Sequence, residues 1–304
     1  MSEERESHLL RIQHRTRYRY AFPVTFGTHR LVLRPREGHD LRVESLKLLV
    51  EPKASLSWTR DVFGNSVAYL HFSDSAKELL VSSDVVVRRF FDPQSPPHLS
   101  HVADPYPFTY DELEQGILAG YLAPVYHEDY AAVLRWVSTL PGPGTFPTAE
   151  AFAIHLAEVI FESFEYQRRE QTGVQTPGET LALGSGSCRD FATLMMESLR
   201  CLGIAARFAS GYLDCDATRA ARGSTHAWAE VYFPKVGWRG FDPTSGKPCG
   251  HRHIVTGTSH HPRGVMPISG KFVGPANAYV GLTVGVEFSV PEAEPSKTGQ
   301  SQSQ

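Results

Sequence analysis

Leu183-Gly-Ser-Gly-Ser-Cys-Arg-Asp-Phe-Ala-Thr-Leu-Met195 is the stretch on which the fold turns. Gly184 and Gly186 permit a tight turn with close backbone approach. Ser187, followed three positions on by Asp190, has capping-box spacing, so Ser187 is the expected N-cap of a helix. Phe191, Leu194, Met195, Leu199 and Leu202 then recur at helical spacing and define a buried face. Cys188 therefore takes the first helical position, beside unsatisfied backbone N–H groups and the positive end of the helix dipole. A thiolate is favoured in such a place, and the same N–H groups suit a developing oxyanion. Taken alone, the segment fits a buried structural cysteine at a helix start better than a nucleophile.

A thiol nucleophile needs a base, and the base needs an orienting group. Downstream lie Ser224-Thr-His-Ala-Trp-Ala-Glu-Val-Tyr-Phe233 and Gly237-Trp-Arg-Gly-Phe-Asp-Pro-Thr244. His226 opens one alternating, strand-like run and Asp242 closes the next. Pro234-Lys-Val-Gly237 between them reads as a hairpin turn. A hairpin brings the start of its first strand near the end of its second, so His226 and Asp242 become neighbours. Each has an ordinary alternative: a satisfied core histidine, and an Asx-turn residue before Pro243. The conjunction with a helix-capped cysteine favours chemistry. Trp228 and Trp238 flank the two positions and are candidates to shield the pair from water, or are simply core aromatics.

Upstream the period changes. Ile12, His14, Thr16, Tyr18 and Tyr20 alternate with Arg11, Gln13, Arg15, Arg17 and Arg19, a period of two. Further short apolar runs at 30–33, 41–50, 56–62, 67–72 and 79–87 complete a six-stranded antiparallel pattern of sandwich type. The arginines of the first strand read as a solvated or carboxylate-paired face. Asp92-Pro-Gln-Ser-Pro-Pro97 reads as a linker. Helical spacing then runs over 111–122, 126–139 and 148–164. After the helix at Cys188, strands are expected at 205–213, 227–233, 238–241, 268–273 and 282–290.

The 304 residues carry 30 Lys plus Arg against 33 Asp plus Glu, a net charge of −3. That balance argues against a nucleic-acid partner held by bulk electrostatics. No apolar run reaches about 18 residues, which argues against a membrane helix. The start Met1-Ser-Glu-Glu-Arg-Glu6 does not read as a signal peptide. Four cysteines are too few for a disulfide scaffold, so a cytoplasmic location with free thiols is expected. Cys201 reads as core, and Cys215 has no assignable role. Cys249, His251, His253, His260 and His261 are metal-ligand types at short spacing, but they lack a paired frame and sit in Gly- and Pro-rich sequence. No metal and no cofactor is therefore expected. A P-loop, a dinucleotide fingerprint and a G-x-S-x-G elbow are also missing.

The runs Gly-Ser-Cys-Arg-Asp-Phe-Ala, His-Ala-Trp-Ala-Glu-Val-Tyr and Gly-Trp-Arg-Gly-Phe-Asp-Pro-Thr together resemble the three blocks of the bacterial transglutaminase-like superfamily. His14-Arg-Thr-Arg-Tyr-Arg-Tyr20 and Arg30-Leu-Val-Leu-Arg-Pro-Arg36 resemble the β domain that often precedes this core. The resemblance covers roughly residues 10 to 290. It implies an α+β fold: a papain/transglutaminase-like core, its cysteine helix packed on a small antiparallel sheet, preceded by an antiparallel β-sandwich-like domain. The corresponding division is 8–95 for the β domain, 96–292 for the core with C-terminal strands, and 293–304 for a disordered tail. It also implies Cys188 as nucleophile, His226 as base and Asp242 as orienter. The implied activity is amide chemistry on a peptide or protein through a thioester, with hydrolysis ahead of transfer to an amine. The competing reading is a non-catalytic scaffold or binding module that keeps the fold. One stretch departs from the family pattern: Thr258-Ser-His-His-Pro-Arg-Gly264 replaces an acidic and aromatic run, which bears on substrate selection.

Overall fold

The computed structural model describes residues 7–90, 104–169, 173–214 and 225–291. The linker at 92–97, the 293–304 tail and Cys215 lie outside them. Six strands come first: β1 (Ser7–Phe26), β2 (His29–Leu31), β3 (Leu41–Glu51), β4 (Ala54–Arg60), β5 (Ser66–Phe72) and β6 (Ser75–Phe90). Then follow α1 (Glu112–Leu122), α2 (Tyr130–Val137), α3 (Ala149–Ser163), β7 (Glu165–Tyr166), α4 (Pro177–Leu183), β8 (Ser185–Gly186) and α5 (Cys188–Cys201). The remaining strands are β9 (Ala206–Leu213), β10 (His226–Phe233), β11 (Gly237–Asp242), β12 (Lys247–Pro248), β13 (His253–Ser259), β14 (Ile268–Ser269), β15 (Phe272–Val273) and β16 (Tyr279–Ser289).

The alternation that marks β1 puts Leu10, Ile12, His14 and Thr16 inward, while Arg11 pairs with Asp84 and Arg17 with Glu78 outside. The arginine face is thus carboxylate-paired where its partners are seen. β1 is hydrogen-bonded along both edges, to β6 and to β16, and β15 meets its end. β14 joins a second sheet in the order β14-β2-β5-β4. The strands at 268–289, grouped with the core on sequence, therefore hydrogen-bond to the N-terminal sheets. The reason is physical: a long strand left with one bare edge exposes unpaired N–H and C=O groups, and β16 covers the edge that β6 does not.

The core is one antiparallel sheet, β12-β11-β10-β9-β13, with α5 laid across one face. Ala227, Ala229, Val231 and Phe233 of β10 face the helix and join Phe191, Leu194, Met195 and Leu199 in one apolar cluster. α2, α3 and α4 pack around α5. α4 is too short to show periodicity in sequence, but Thr176-Pro-Gly-Glu179 forms a complete capping box with Pro at the first turn. Burying α5 on nearly every side is what fixes the depth and direction of Cys188.

Candidate active site

The register of β10 against β11 pairs Ala229 with Phe241 and Phe233 with Gly237, so His226 and Asp242 fall at the same end of the sheet. His226 Nε2 lies 2.9 Å from Asp242 Oδ2, and both side chains are essentially buried. Asp242 Oδ1 accepts the Thr244 N–H at 2.9 Å. Burial by itself would raise the Asp242 carboxyl. The charge and hydrogen bond of His226, joined by those of His253, outweigh it and hold Asp242 well below the ordinary carboxylate range. Burial alone would likewise lower His226. Asp242's charge and hydrogen bond, with smaller contributions from Cys188, raise it well above its ordinary value of 6.5.

The other ring nitrogen, Nδ1, is buried and has no hydrogen-bond partner among the described residues. Cys188 is the neighbour whose thiol biases that ring's protonation. It is the first residue of α5, with Ser187 as N-cap, and is 7% exposed. Asp190 makes that position rigid. One carboxylate oxygen accepts the Ser187 N–H at 2.8 Å and the Ser187 hydroxyl at 2.7 Å, while the other accepts the Gln175 N–H at 2.7 Å. Arg169 Nη1 bridges both oxygens, at 2.8 and 2.9 Å. Residues 169 and 175 are thereby tied to the cysteine turn. Gly186 is required by close approach, since a Cβ there would press on Asp190 and on the Phe191 ring.

Two neighbours of the site were not legible as such. Tyr166 pairs with Gly186 in the short parallel β7–β8 ladder, two residues before Cys188. Its hydroxyl is held far above its ordinary value, first by burial and then by the proximity of Cys188 and, more weakly, Asp242. The only sequence signal was an aromatic before a turn. His253, read among metal-ligand types, instead sets its Nε2 3.4 Å from Asp242 Oδ2. Its companions scatter. His260 packs on Phe63, His261 stacks on Tyr126 and Cys249 sits against Gly240. The group His226, Asp242 and His253 has ligand atoms mutually within 4.8 Å. Gly250 N–H, however, donates to His253 Nδ1, so Nε2 carries the proton. A metal would need a lone pair there, and the arrangement presents a donor.

Of the expected shields, Trp228 is buried against the site, its ring 6.2 Å from His226 and 5.1 Å from His253. Trp238 is not part of it. It packs on Tyr121 and Tyr232 with Arg207 over its face, because its place on β11 is four residues before Asp242, near the hairpin turn. Cys201 is raised to about 11 by burial and then Glu197, and burial, with help from Asp242 and Glu230, holds Cys249 well above its ordinary value. Both are poor nucleophiles. The divergent 258–264 run is a joint. Asn65 bonds both the N–H and the carbonyl of Thr258, and Arg200 of α5 holds the His260 carbonyl. No helix among the described residues is long and apolar enough to cross a membrane.

Residues 10–88 match the bacterial transglutaminase-like N-terminal region, and residues 143–243 match the transglutaminase-like superfamily core. An uncharacterized protein of Mycobacterium tuberculosis strain H37Rv is 30% identical over 295 residues, covering 92% of this chain and 93% of that one. One from Mycobacterium leprae is 33% identical over 108 residues, 34% of this chain and 38% of its own. A solved structure from Cytophaga hutchinsonii, described as a candidate cysteine protease, has the same fold. Its TM-score is 0.73 at 18% identity, with 95% of this chain and 93% of that chain covered.

Proposed function

Because this chain belongs to the transglutaminase-like superfamily, we propose that it is a thiol enzyme acting on amide bonds of a peptide or protein, with Cys188, His226 and Asp242 as its catalytic set. The observation that carries this reading is the buried His226–Asp242 bond of 2.9 Å, with the ring's other nitrogen left without a partner beside Cys188. Asp242 holds the Nε2 proton, so Nδ1 is the nitrogen that exchanges a proton with the thiol. Proton transfer from Cys188 to Nδ1 gives a thiolate–imidazolium pair. The thiolate attacks the amide carbonyl, and the Cys188 N–H at the start of α5 assists the oxyanion. Collapse expels the amine, which takes the Nδ1 proton, and leaves a thioester on Cys188. Water, deprotonated by His226, then releases the acid and restores the thiol.

Hydrolysis is the favoured outcome because water needs no second binding site, and the fold shared with a candidate cysteine protease supports it. Transfer to a primary amine would use the same thioester. The chemistry requires a free thiol at Cys188, as a reducing cytoplasm provides. The test is turnover of a peptide and protein amide panel by wild type and Cys188→Ala, scoring new carboxylates against incorporation of a fluorescent amine. Carboxylate release that disappears in the variant is expected. Amine incorporation exceeding hydrolysis would move the reading to acyl transfer, and full activity in Cys188→Ala would overturn it.

A further inference from the structure

Among the described residues, the Asp242 carboxylate has three hydrogen-bond donors. Thr244 N–H comes from its own turn and holds the far carboxylate oxygen, Oδ1, leaving Oδ2 to the two histidines. His226 is the ring that Asp242 is there to orient. His253 alone both comes from another strand and stands outside the proton-transfer step. It reaches Asp242 from β13, at the opposite end of the strand order from β11, across the face of β9 and β10 that α5 does not cover. Its ring stands edge-on to Trp228 at 5.1 Å, and its Nδ1 accepts the Gly250 N–H at 3.3 Å, so both its position and its tautomer are held. Gly211, opposite His226 in the β9–β10 ladder, leaves the space; a Cβ there would meet the Ile254 carbonyl and the tip of the Trp228 ring.

We propose that His253 is a positioning residue: by donating Nε2–H to the carboxylate oxygen that also receives His226, it holds Asp242 in place so that the free nitrogen of His226 stays aimed at Cys188. This rests on the thiol reading above. With Oδ1 held by the Thr244 N–H, an Oδ2 whose one partner was the reacting ring would shift as that ring changes charge. A second, non-reacting donor removes that freedom, as outer partners do for ligating histidines. The groups facing the Asp242–His226 pair are His253 from β13, Cys188 from α5, Tyr166 from β7 and Cys249 after β12, with Glu230 acting on Cys249.

The test needs no substrate. Cys188 alkylation by iodoacetamide is followed site by site by mass spectrometry, from about pH 5 to about pH 9, in wild type, His253→Gln, His253→Met and His226→Ala. Gln and Met are matched in length, and only Gln carries a donor. His253→Met should label about tenfold more slowly near pH 6, with the midpoint of its profile moved to higher pH, while His253→Gln stays close to wild type. Wild-type labelling in His253→Met at every pH overturns the proposal. So does equal slowing in Met and Gln, which would mean a packing role. If His253→Met does not fold, His253→Phe, which keeps a ring against Trp228, takes its place. If His226→Ala also labels like wild type, the thiol–imidazole reading itself has failed; if His226→Ala is slow and His253→Met is normal, only the positioning role has.

Discussion

Proton affinities at two residues tie this site to stability. His226 is raised in the folded state, so its contribution is fully present below its ordinary value of 6.5 and is lost as pH climbs through the raised value. Asp242 is depressed, so its contribution is present above 3.8 and is lost as pH falls through the lowered value. Both operate between about pH 4 and 6.5. Melting curves of wild type and Asp242→Asn should differ most in that window, by about 3 kcal/mol for breaking a buried pair, and the difference should narrow as pH climbs through the raised His226 value. For activity, His226→Ala should lower kcat/KM by at least about a thousandfold, measured on whichever amide wild type cleaves. At this scale the residue types proposed as the triad were readable, because a cysteine just after an N-cap and a histidine and aspartate at hairpin ends leave local spacing signatures. His253 was not, since nothing in Gly250-His-Arg-His253 says which carboxylate the ring will meet once β13 joins the sheet beside β9.

Among the elements, α5 and the β9–β13 pair hold the site's geometry. Asp190 takes hydrogen bonds from Ser187, Gln175 and Arg169 while fully buried. Asp190→Ala leaves the Arg169 charge without its carboxylate and should cost about 3 kcal/mol in denaturant unfolding, with slower labelling of Cys188. Gly211→Ala is expected to cost about 2 kcal/mol or more, because the added methyl meets backbone that cannot yield. Both are read by urea midpoints at constant slope. The start of α5 was legible from its cap at Ser187, and that of α3 from apolar spacing. The partners of β16 were not, since alternation tells a strand which side is inward but not which edge it will join.

Across the whole molecule, the β layer and the core share buried contacts. Leu10, Ile12, Val85 and Val87 of the first part cluster with Tyr212 and Ile254 of the second. His14 Nδ1 meets the Tyr212 hydroxyl at 3.1 Å, and Arg36 N–H donates to the Val255 carbonyl at 2.8 Å. Asn65 is fully buried and satisfied by Thr258 and Asp61. Asn65→Ala strips partners from a buried N–H and carbonyl and should cost about 2 kcal/mol while leaving a single cooperative transition, which calorimetry checks. A chain beginning after residue 90 should melt earlier and bind a hydrophobic dye, because β13, which carries His253, would lose its apolar cover.

The amino-acid order alone determined the α+β class, the cysteine at a capped helix start, the hairpin that joins His226 to Asp242 and the β-rich first third. All of these are written within a few dozen residues, where periodicity, caps and turns act. Only the tertiary structure decided that the last strands close the first sheets, that residues 258–264 form a joint, and that His253 crosses the sheet to Asp242. Those outcomes depend on which edges and polar atoms remain unsatisfied once the local pieces have formed, a condition that no short segment carries.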